Sequence, residues 1–528
     1  MVAPAAQALL AARLLDPACY DHPVRRLHAM ETHISHVLLT GDYAYKIKKP
    51  LDLGFLDFSA LEARRFYCEE EVRLNRRLAP DHYLGVVAIT GSPACPKVNG
   101  TGVPFEYAVK MRQFPEAALL DRVQAHGKLT AAHADAMARE IAAFHARCAR
   151  AGTDTPFGSP ECILEPAGQN FRQIMPLLSG AGERCRLDAL ERWSAGEFDR
   201  LRQVFTQRKR EGFVRECHGD LHLGNMFLDG NEIRAFDCIE FNPDLRWIDV
   251  MSEAAFLVMD LYHRDHPDLA RRFLNAYLEI TGDYAGVEVL RYYLVYRALV
   301  RVKIAAIRAG QKDAGKEERR RLRQEFGRYL KLAEAFSRPQ APVLIITFGL
   351  SGSGKSALTR ALIERLDMVR LRSDVERKRL FGLESAQRSG SGPGAGLYTD
   401  DATRRTYDKL IELTRAVLKG GWSAVVDATF LARRWRDRFR DLARELGVCL
   451  RILDFQVSET TLRARIARRR QKRRDASEAT VEVLEAQLKS REPLGEDERI
   501  VTIAVDGERT KDRTTIESTL ARLRDSQG

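Results

Sequence analysis

The stretches CHGDLHLGNMFLDGNEIRAFD (217–237) and GLSGSGKS (349–356) each carry residue types and spacings suited to moving a phosphoryl group. In the first, His218, Asp220 and Asn225 stand as H-x-D-x4-N, where an aspartate can take a proton from a hydroxyl and an asparagine can bind magnesium. The apolar run IRAFDCIEF then brings Asp237 to the place of a second metal ligand, and the turn residues LDGNE fold one ligand back towards the other. Upstream, HVLLTGDYAYKIKK alternates about a Gly41-Asp42 turn, so that Ala44, Lys46 and Lys48 share a face. The Ala-x-Lys spacing makes Lys46 the candidate phosphate-binding lysine, while Lys46, Lys48 and Lys49 also suit exposed strand charges. In SALEARRFYCEEEVRLNRRLA, helical spacing puts Tyr67, Glu71, Leu74 and Leu78 on one stripe. A carboxylate on an apolar face needs a partner, and Glu71 with Lys46 is the expected pair; Glu69 and Glu70 are the alternatives.

The second stretch fits GxxxxGK[ST], with an apolar VLIITF before it and an amphipathic SALTRALIERL after it. Gly349, Ser351, Gly352, Ser353 and Gly354 offer backbone N–H groups that wrap phosphates, Lys355 reaches the β and γ phosphates, and the Ser356 hydroxyl meets magnesium. Both stretches therefore point to ATP and Mg2+ as cofactors. About twenty residues on, after the strand pattern MVRLRS, Asp374 can act as a base and Arg377 can hold an anion, an arrangement suited to a kinase rather than a motor ATPase. An N-cap aspartate opening a helix is the plain alternative for Asp374. GWSAVVDATF reads as a buried strand ending in Asp427, a second magnesium carboxylate. In TLRARIARRRQKRRDASEA, eight of the twelve positions 463–474 are Lys or Arg. That composition suits a solvated basic helix; Arg465 and Arg469, four residues apart, also suit a lid closing over phosphates.

Two such sites need scaffolds, and 528 residues suffice for two to four domains. A composition of 45% hydrophobic and 30% charged residues belongs to a globular chain. Residues 313–336 have the spacing of a closing helix, and the prolines of SRPQAP cannot continue it. The expected division is a domain over 1–336, a linker over 337–342 and a P-loop domain over 343–528. SGSGPGAG (389–396) reads as a mobile loop. After residue 338, 37 Lys and Arg face 28 Asp and Glu, so this part carries nine of the twelve net positive charges. That bias suits an anionic substrate; nucleic acid is possible but not favoured, since no aromatic-interleaved basic stripe lies outside the lid. The nine scattered cysteines contain no CxxC pair and are expected as buried small apolar residues, Cys217 and Cys238 included. MVAPAAQALLAARLL lacks a basic n-region and no apolar run reaches about 18 residues, so a cytoplasmic protein without membrane contact is expected.

The C-terminal part resembles the P-loop kinases of the polynucleotide kinase, zeta-toxin and gluconate kinase type, on GLSGSGKS, RSDVERKRLFG, VVDATF and RARIARRR...DASEA. The resemblance implies Asp374 as base and Arg465 and Arg469 as phosphate contacts, and leaves the acceptor open. The first part resembles the aminoglycoside phosphotransferase branch of the protein-kinase-like fold. With LDLGFLDFSALEARRFYCEEEVRLNRRLAPDHYLGVV and YYLVYRALVRVKIA added, the whole chain resembles a bacterial family described as bifunctional aminoglycoside phosphotransferase and P-loop ATP-binding proteins. This implies an α+β kinase-like domain followed by an α/β P-loop domain with a parallel sheet. The implied activity is ATP-dependent phosphorylation of small-molecule hydroxyls at two sites. The alternative makes the P-loop module the only enzyme, acting on a small molecule or a nucleic-acid 5'-hydroxyl, and the first domain a binding or regulatory module. Antibiotic-modifying relatives use acidic pockets; Glu240, Asp244 and Asp249 are the nearest carboxylates here, and helix capping or surface solvation is the favoured reading of them.

Overall fold

Gly41, at φ +99°, makes the turn that folds β2 (Ser35–Leu39) back onto β3 (Tyr43–Lys48), with Lys46 opposite Val37. Around this hairpin, β1 (His28–Glu31), β4 (Tyr83–Ser92), β5 (Cys95–Val98) and β6 (Pro104–Arg112) complete an antiparallel sheet of order β1-β2-β3-β6-β4-β5. The helix Leu61–Asn75 packs on β4 and β6, burying Cys68, Glu71, Val72 and Leu74. Behind it, β7 (Val214–Glu216) pairs with β10 (Trp247–Asp249), and β8 (Met226–Asp229) with β9 (Glu232–Ala235). The β8–β9 turn is the LDGNE hairpin, and the 3-10 turn Leu223–Asn225 precedes it.

In the C-terminal part, β11 (Val343–Phe348), β12 (Met368–Arg372), β13 (Ser423–Asp427), β14 (Cys449–Gln456) and β15 (Thr502–Asp506) form a parallel sheet of order β12-β13-β11-β14-β15. Every residue of β11 is buried, as a central strand covered on both faces requires. Val343, Ile345, Val425, Leu453 and Phe455 pack with Leu358 and Leu362 of the helix Lys355–Arg365. At about 1.5–3 kcal/mol for each fully buried aliphatic side chain, this layer fixes the strand whose end carries the phosphate loop.

The computed structural model describes residues 4–52, 54, 56–311, 314–385, 387–390, 396–472 and 480–525. Residues 391–395 of the expected mobile loop and 473–479 of the basic run lie outside them. The stretch 338–342 stands outside any helix or strand, between the helix Lys316–Ser337 and β11. Packing divides the chain elsewhere. One compact unit comprises Met1–Leu187 and Ala195–Asp260, the other Asp188–Ser194 and Leu261–Gly528. The helices Pro267–Thr281, Val287–Gly310 and Lys316–Ser337 thus belong to the unit with the parallel sheet, where Trp422 Nε1 donates to Val287 O at 3.0 Å. Cys217 and Cys238 are buried as expected, whereas Cys95 and Cys185 are exposed. Among the described residues no helix is long and apolar enough to cross a membrane.

Candidate active sites

In the first unit Lys46 is buried, and its Nζ donates to Glu71 Oε1 at 2.9 Å and to the Asp237 carboxylate. Glu71, rather than Glu69 or Glu70, is therefore the partner. Lys48 is no exposed strand charge. It is fully buried on the same face of β3, with Nζ donating to Glu71 Oε2 at 2.8 Å and to Glu240. Burial opposes the charge on Glu71, but Lys46 and Lys48 outweigh it and hold the carboxyl at about 2. Burial, with Glu71 nearby, pushes Glu240 up, although Lys48 acts the other way. The capping and solvation reading fails for Glu240. Asp249 is buried too: it pairs with Arg208 at 2.7 Å while accepting from Met251 N at 2.8 Å; Asp244 is exposed.

The loop at 218–225 lies beside this cluster. Asn225 Nδ2 donates to Asp220 O at 3.0 Å and Asp220 Oδ2 at 3.1 Å, which leaves the Asn225 carbonyl oxygen as the atom of that side chain able to ligate a cation. Asp237, at φ +66°, sits in a backbone region that aspartate tolerates better than most residues, and its N–H donates to Tyr83 Oη at 3.2 Å. Its side chain is 44% exposed and that of Asp220 36%, so both carboxylates stay reachable on a buried platform. His218 is buried, Nε2 donates to Phe236 O at 2.8 Å, and Nδ1 accepts from Asp220 N at 3.2 Å. Burial lowers the His218 pKa, so the imidazole is neutral and ties the loop to the residue preceding Asp237.

In the second unit the loop after β11 has the phosphate-cradle shape. Gly354 is at φ +94°, and a Cβ there would meet Thr510 Oγ1 at 2.5 Å, so only glycine fits. Lys355 is buried and folds back onto the loop, its Nζ donating to Gly349 O at 3.0 Å and Leu350 O at 2.7 Å. Gly352, at φ +87°, and the buried Ser353 complete the turn, and Ser351 N donates to Gln487 Oε1 at 2.9 Å. Ser356 stands in the first turn of the Lys355–Arg365 helix, and Asp427, buried at the end of β13, lies 3.4 Å from Thr359 Oγ1 one turn on. A serine hydroxyl in the first turn of the helix after the loop and an aspartate at the end of the neighbouring strand suit a magnesium ion. Asp374 is not an N-cap: Arg372 holds that position of the helix Ser373–Leu380, and Asp374 stands in its first turn. Arg377 donates to Leu397 O at 3.0 Å and lies 5.0 Å from the Tyr398 ring. Arg465 reaches the loop itself, donating to Gly352 O at 3.3 Å and Gly507 O at 2.8 Å. Arg469 lies on the same helix, Glu459–Lys472, with its side chain outside the described residues.

Residues 67–290 match the model of the phosphotransferase enzyme family, and residues 344–494 match that of an AAA domain. The uncharacterized protein Rv2004c of Mycobacterium tuberculosis (strain ATCC 25618 / H37Rv) is 30% identical over 453 residues, 84% of this chain and 87% of that one. The uncharacterized protein Mb2027c of Mycobacterium bovis (strain ATCC BAA-935 / AF2122/97) matches to the same extent. The chain belongs to their family. It is a phosphotransferase with a kinase-like region followed by a P-loop region. Among solved structures, a gluconokinase from Sinorhizobium meliloti 1021 is 25% identical, with a TM-score of 0.27, over 36% of this chain and 97% of that one. The amicoumacin kinase hAmiN is 13% identical, with a TM-score of 0.39, over 62% and 93%.

Several supporting residues in this family member escaped the sequence reading. Glu253 accepts from His218 N at 2.8 Å, Gly219 N at 2.7 Å and His145 Nε2 at 3.1 Å. Burial opposes its charge, but the hydrogen bonds from His145 and the Gly219 N–H outweigh it and hold its carboxyl at about 2. Asn75 Oδ1 accepts from Cys238 N at 2.9 Å, fixing the residue after Asp237. The signal for Glu253 was present: a carboxylate inside VMSEAAFLVM must be partnered.

Proposed function

We propose that this phosphotransferase has two Mg–ATP sites, one in each compact unit, and transfers the γ-phosphoryl group to hydroxyls of small molecules. The observation that carries the reading is the Lys46–Glu71–Asp237 cluster beside Asp220 and Asn225: a lysine held for phosphates, two side chains fit for metal, and a reachable carboxylate. In the first site, Lys46 orients the nucleotide phosphates, and Asn225 and Asp237 hold Mg2+, which neutralises phosphate charge. The acceptor oxygen attacks the γ-phosphorus, the bond to the β-bridging oxygen breaks with release of ADP, and the hydroxyl proton passes to Asp220. In the second, the 349–356 loop and Lys355 hold the phosphates, Ser356 and Asp427 the metal, Asp374 takes the proton, and Arg377, Arg465 and Arg469 supply positive charge. The regulatory reading of the first unit is disfavoured by its retained Asp220, since a module that only binds nucleotide has no need of a base. The test is a metabolite-library screen with labelled ATP on the full chain and its Asp220→Asn and Asp374→Asn variants. Each variant should lose transfer to a different acceptor. Transfer to every acceptor surviving Asp220→Asn and lost with Asp374→Asn would leave the P-loop site as the only enzyme.

A further inference from the structure

β12 is an edge of the parallel sheet, and the outward N–H and C=O groups of an edge strand need partners. The helix Pro267–Thr281, in the same compact unit, supplies them. Asn275 Nδ2 donates to Met368 O at 3.0 Å and Asn275 Oδ1 accepts from Arg370 N at 2.8 Å, so one side-chain amide stands where a neighbouring strand's peptide would. One turn before, Arg271 Nε donates to Asp367 Oδ1 at 2.6 Å; one turn after, Glu279 accepts from Arg370 Nη2 at 3.2 Å and Arg372 Nη1 at 2.9 Å. The Glu279 carbonyl also takes Arg379, on the helix that carries Asp374.

The arginines that Glu279 holds sit against the phosphate-loop machinery. Arg370 and Arg372 are both buried, Arg370 Nη1 lies 3.4 Å from Ser356 O, and Arg372 stands at the N-cap position of the Asp374 helix. Arg372 pairs with Asp427 in the β12–β13 register, and Asp427 acts electrostatically on Arg370. Burial works against the charge on Glu279, yet Arg372 and Arg370 outweigh it and keep its carboxyl below the ordinary range. Removing that carboxylate would raise the positive potential of Arg370 and Arg372 at Asp427, a carboxylate placed to hold a cation.

We propose that Glu279 is a positioning residue of the P-loop site: through Arg370 and Arg372 it balances charge behind Asp427 and fixes β12 and the Asp374 helix. The Pro267–Thr281 helix is then a working part of the P-loop kinase. This rests on the reading of 349–356 as a Mg–ATP site, and deepens it. The test is the Mg2+ dependence of binding of a fluorescent ATP analogue to the full chain carrying Asp237→Asn, which weakens the first site. Lys355→Ala in that background should abolish the remaining binding. Glu279→Gln should raise the Mg2+ midpoint by about tenfold, and Glu279→Asp should restore most of it. Arg372→Gln moves charge the other way and should lower the midpoint, which general loosening of the fold cannot do. Hydrogen exchange over 366–381 should quicken in Asn275→Ala. A midpoint unmoved by Glu279→Gln, or raised or unmoved by Arg372→Gln, overturns the proposal, the second variant serving alone if the first does not fold. Binding insensitive to Lys355→Ala would contradict the Mg–ATP reading itself, and this proposal with it.

Discussion

Asp220 and Asp237 are both partly exposed carboxylates, yet they have different partners. Asp220 accepts from Asn225 and is the proposed base, whereas Asp237 accepts from Lys46 and is a proposed metal ligand. Asp220→Asn should therefore lower kcat at the first site by on the order of 10², with nucleotide affinity little changed. Asp237→Ala should instead weaken Mg-nucleotide binding, and steady-state kinetics beside calorimetry separates the two; equal loss of affinity in both variants would contradict the assignment. Glu71 makes a different kind of contribution. It is fully buried between two lysines, so Glu71→Gln removes the shared anion and leaves Lys46 and Lys48 undercompensated. The expected cost is about 3–5 kcal/mol of stability, readable by denaturant unfolding, and a change below about 1 kcal/mol would contradict it.

At the scale of elements, the loops that present these groups are held by backbone contacts a sequence does not spell out. Glu253 grips the 218–220 loop through two N–H groups, and its carboxyl, like that of Glu71, sits at about 2 in place of 4.5. A depressed carboxyl contributes stability that is present above pH 4.5 and lost as pH falls through its folded value. The stability gap between wild type and Glu253→Gln, on the order of 3 kcal/mol at neutral pH, should thus shrink between about pH 4.5 and 2 in unfolding curves. A gap constant across that window would contradict the assignment. In the phosphate loop, Gly354→Ala forces a Cβ into Thr510 and a side chain into a left-handed backbone, so it should abolish nucleotide binding at that site while Lys46-dependent binding persists. Spacing alone made the 35–48 hairpin, the Glu71 stripe, the 226–235 hairpin and the strand–loop–helix at 343–365 legible, because each obeys a local period. It did not reveal that Lys48 is buried, since alternation puts Lys46 and Lys48 on one face without saying what covers it. Glu240, from 192 positions away, is part of that cover. Capping was the alternative reading of Asp374, but the helix begins at Ser373 and the cap position falls to Arg372.

At the scale of the whole chain, the prolines at 339 and 342 marked where one helix stops and a strand starts, but packing follows buried surface rather than breakers. Asn275 and Glu279, expected with the first domain, bond to β12, and the unit around the P-loop takes in Leu261 onward together with Asp188–Ser194. The phosphotransferase-family match at 67–290 runs across that point, so family likeness and packing cut the chain differently. Substrate identity was legible at neither level, because the side chains that select an acceptor follow no periodic pattern. Isothermal titration with a non-hydrolysable ATP analogue in saturating Mg2+ counts the nucleotide sites of the chain. Wild type should bind two equivalents, and Lys355→Ala and Asp237→Ala one each, the lost site differing between them; a wild-type stoichiometry of one would rule out two independent sites.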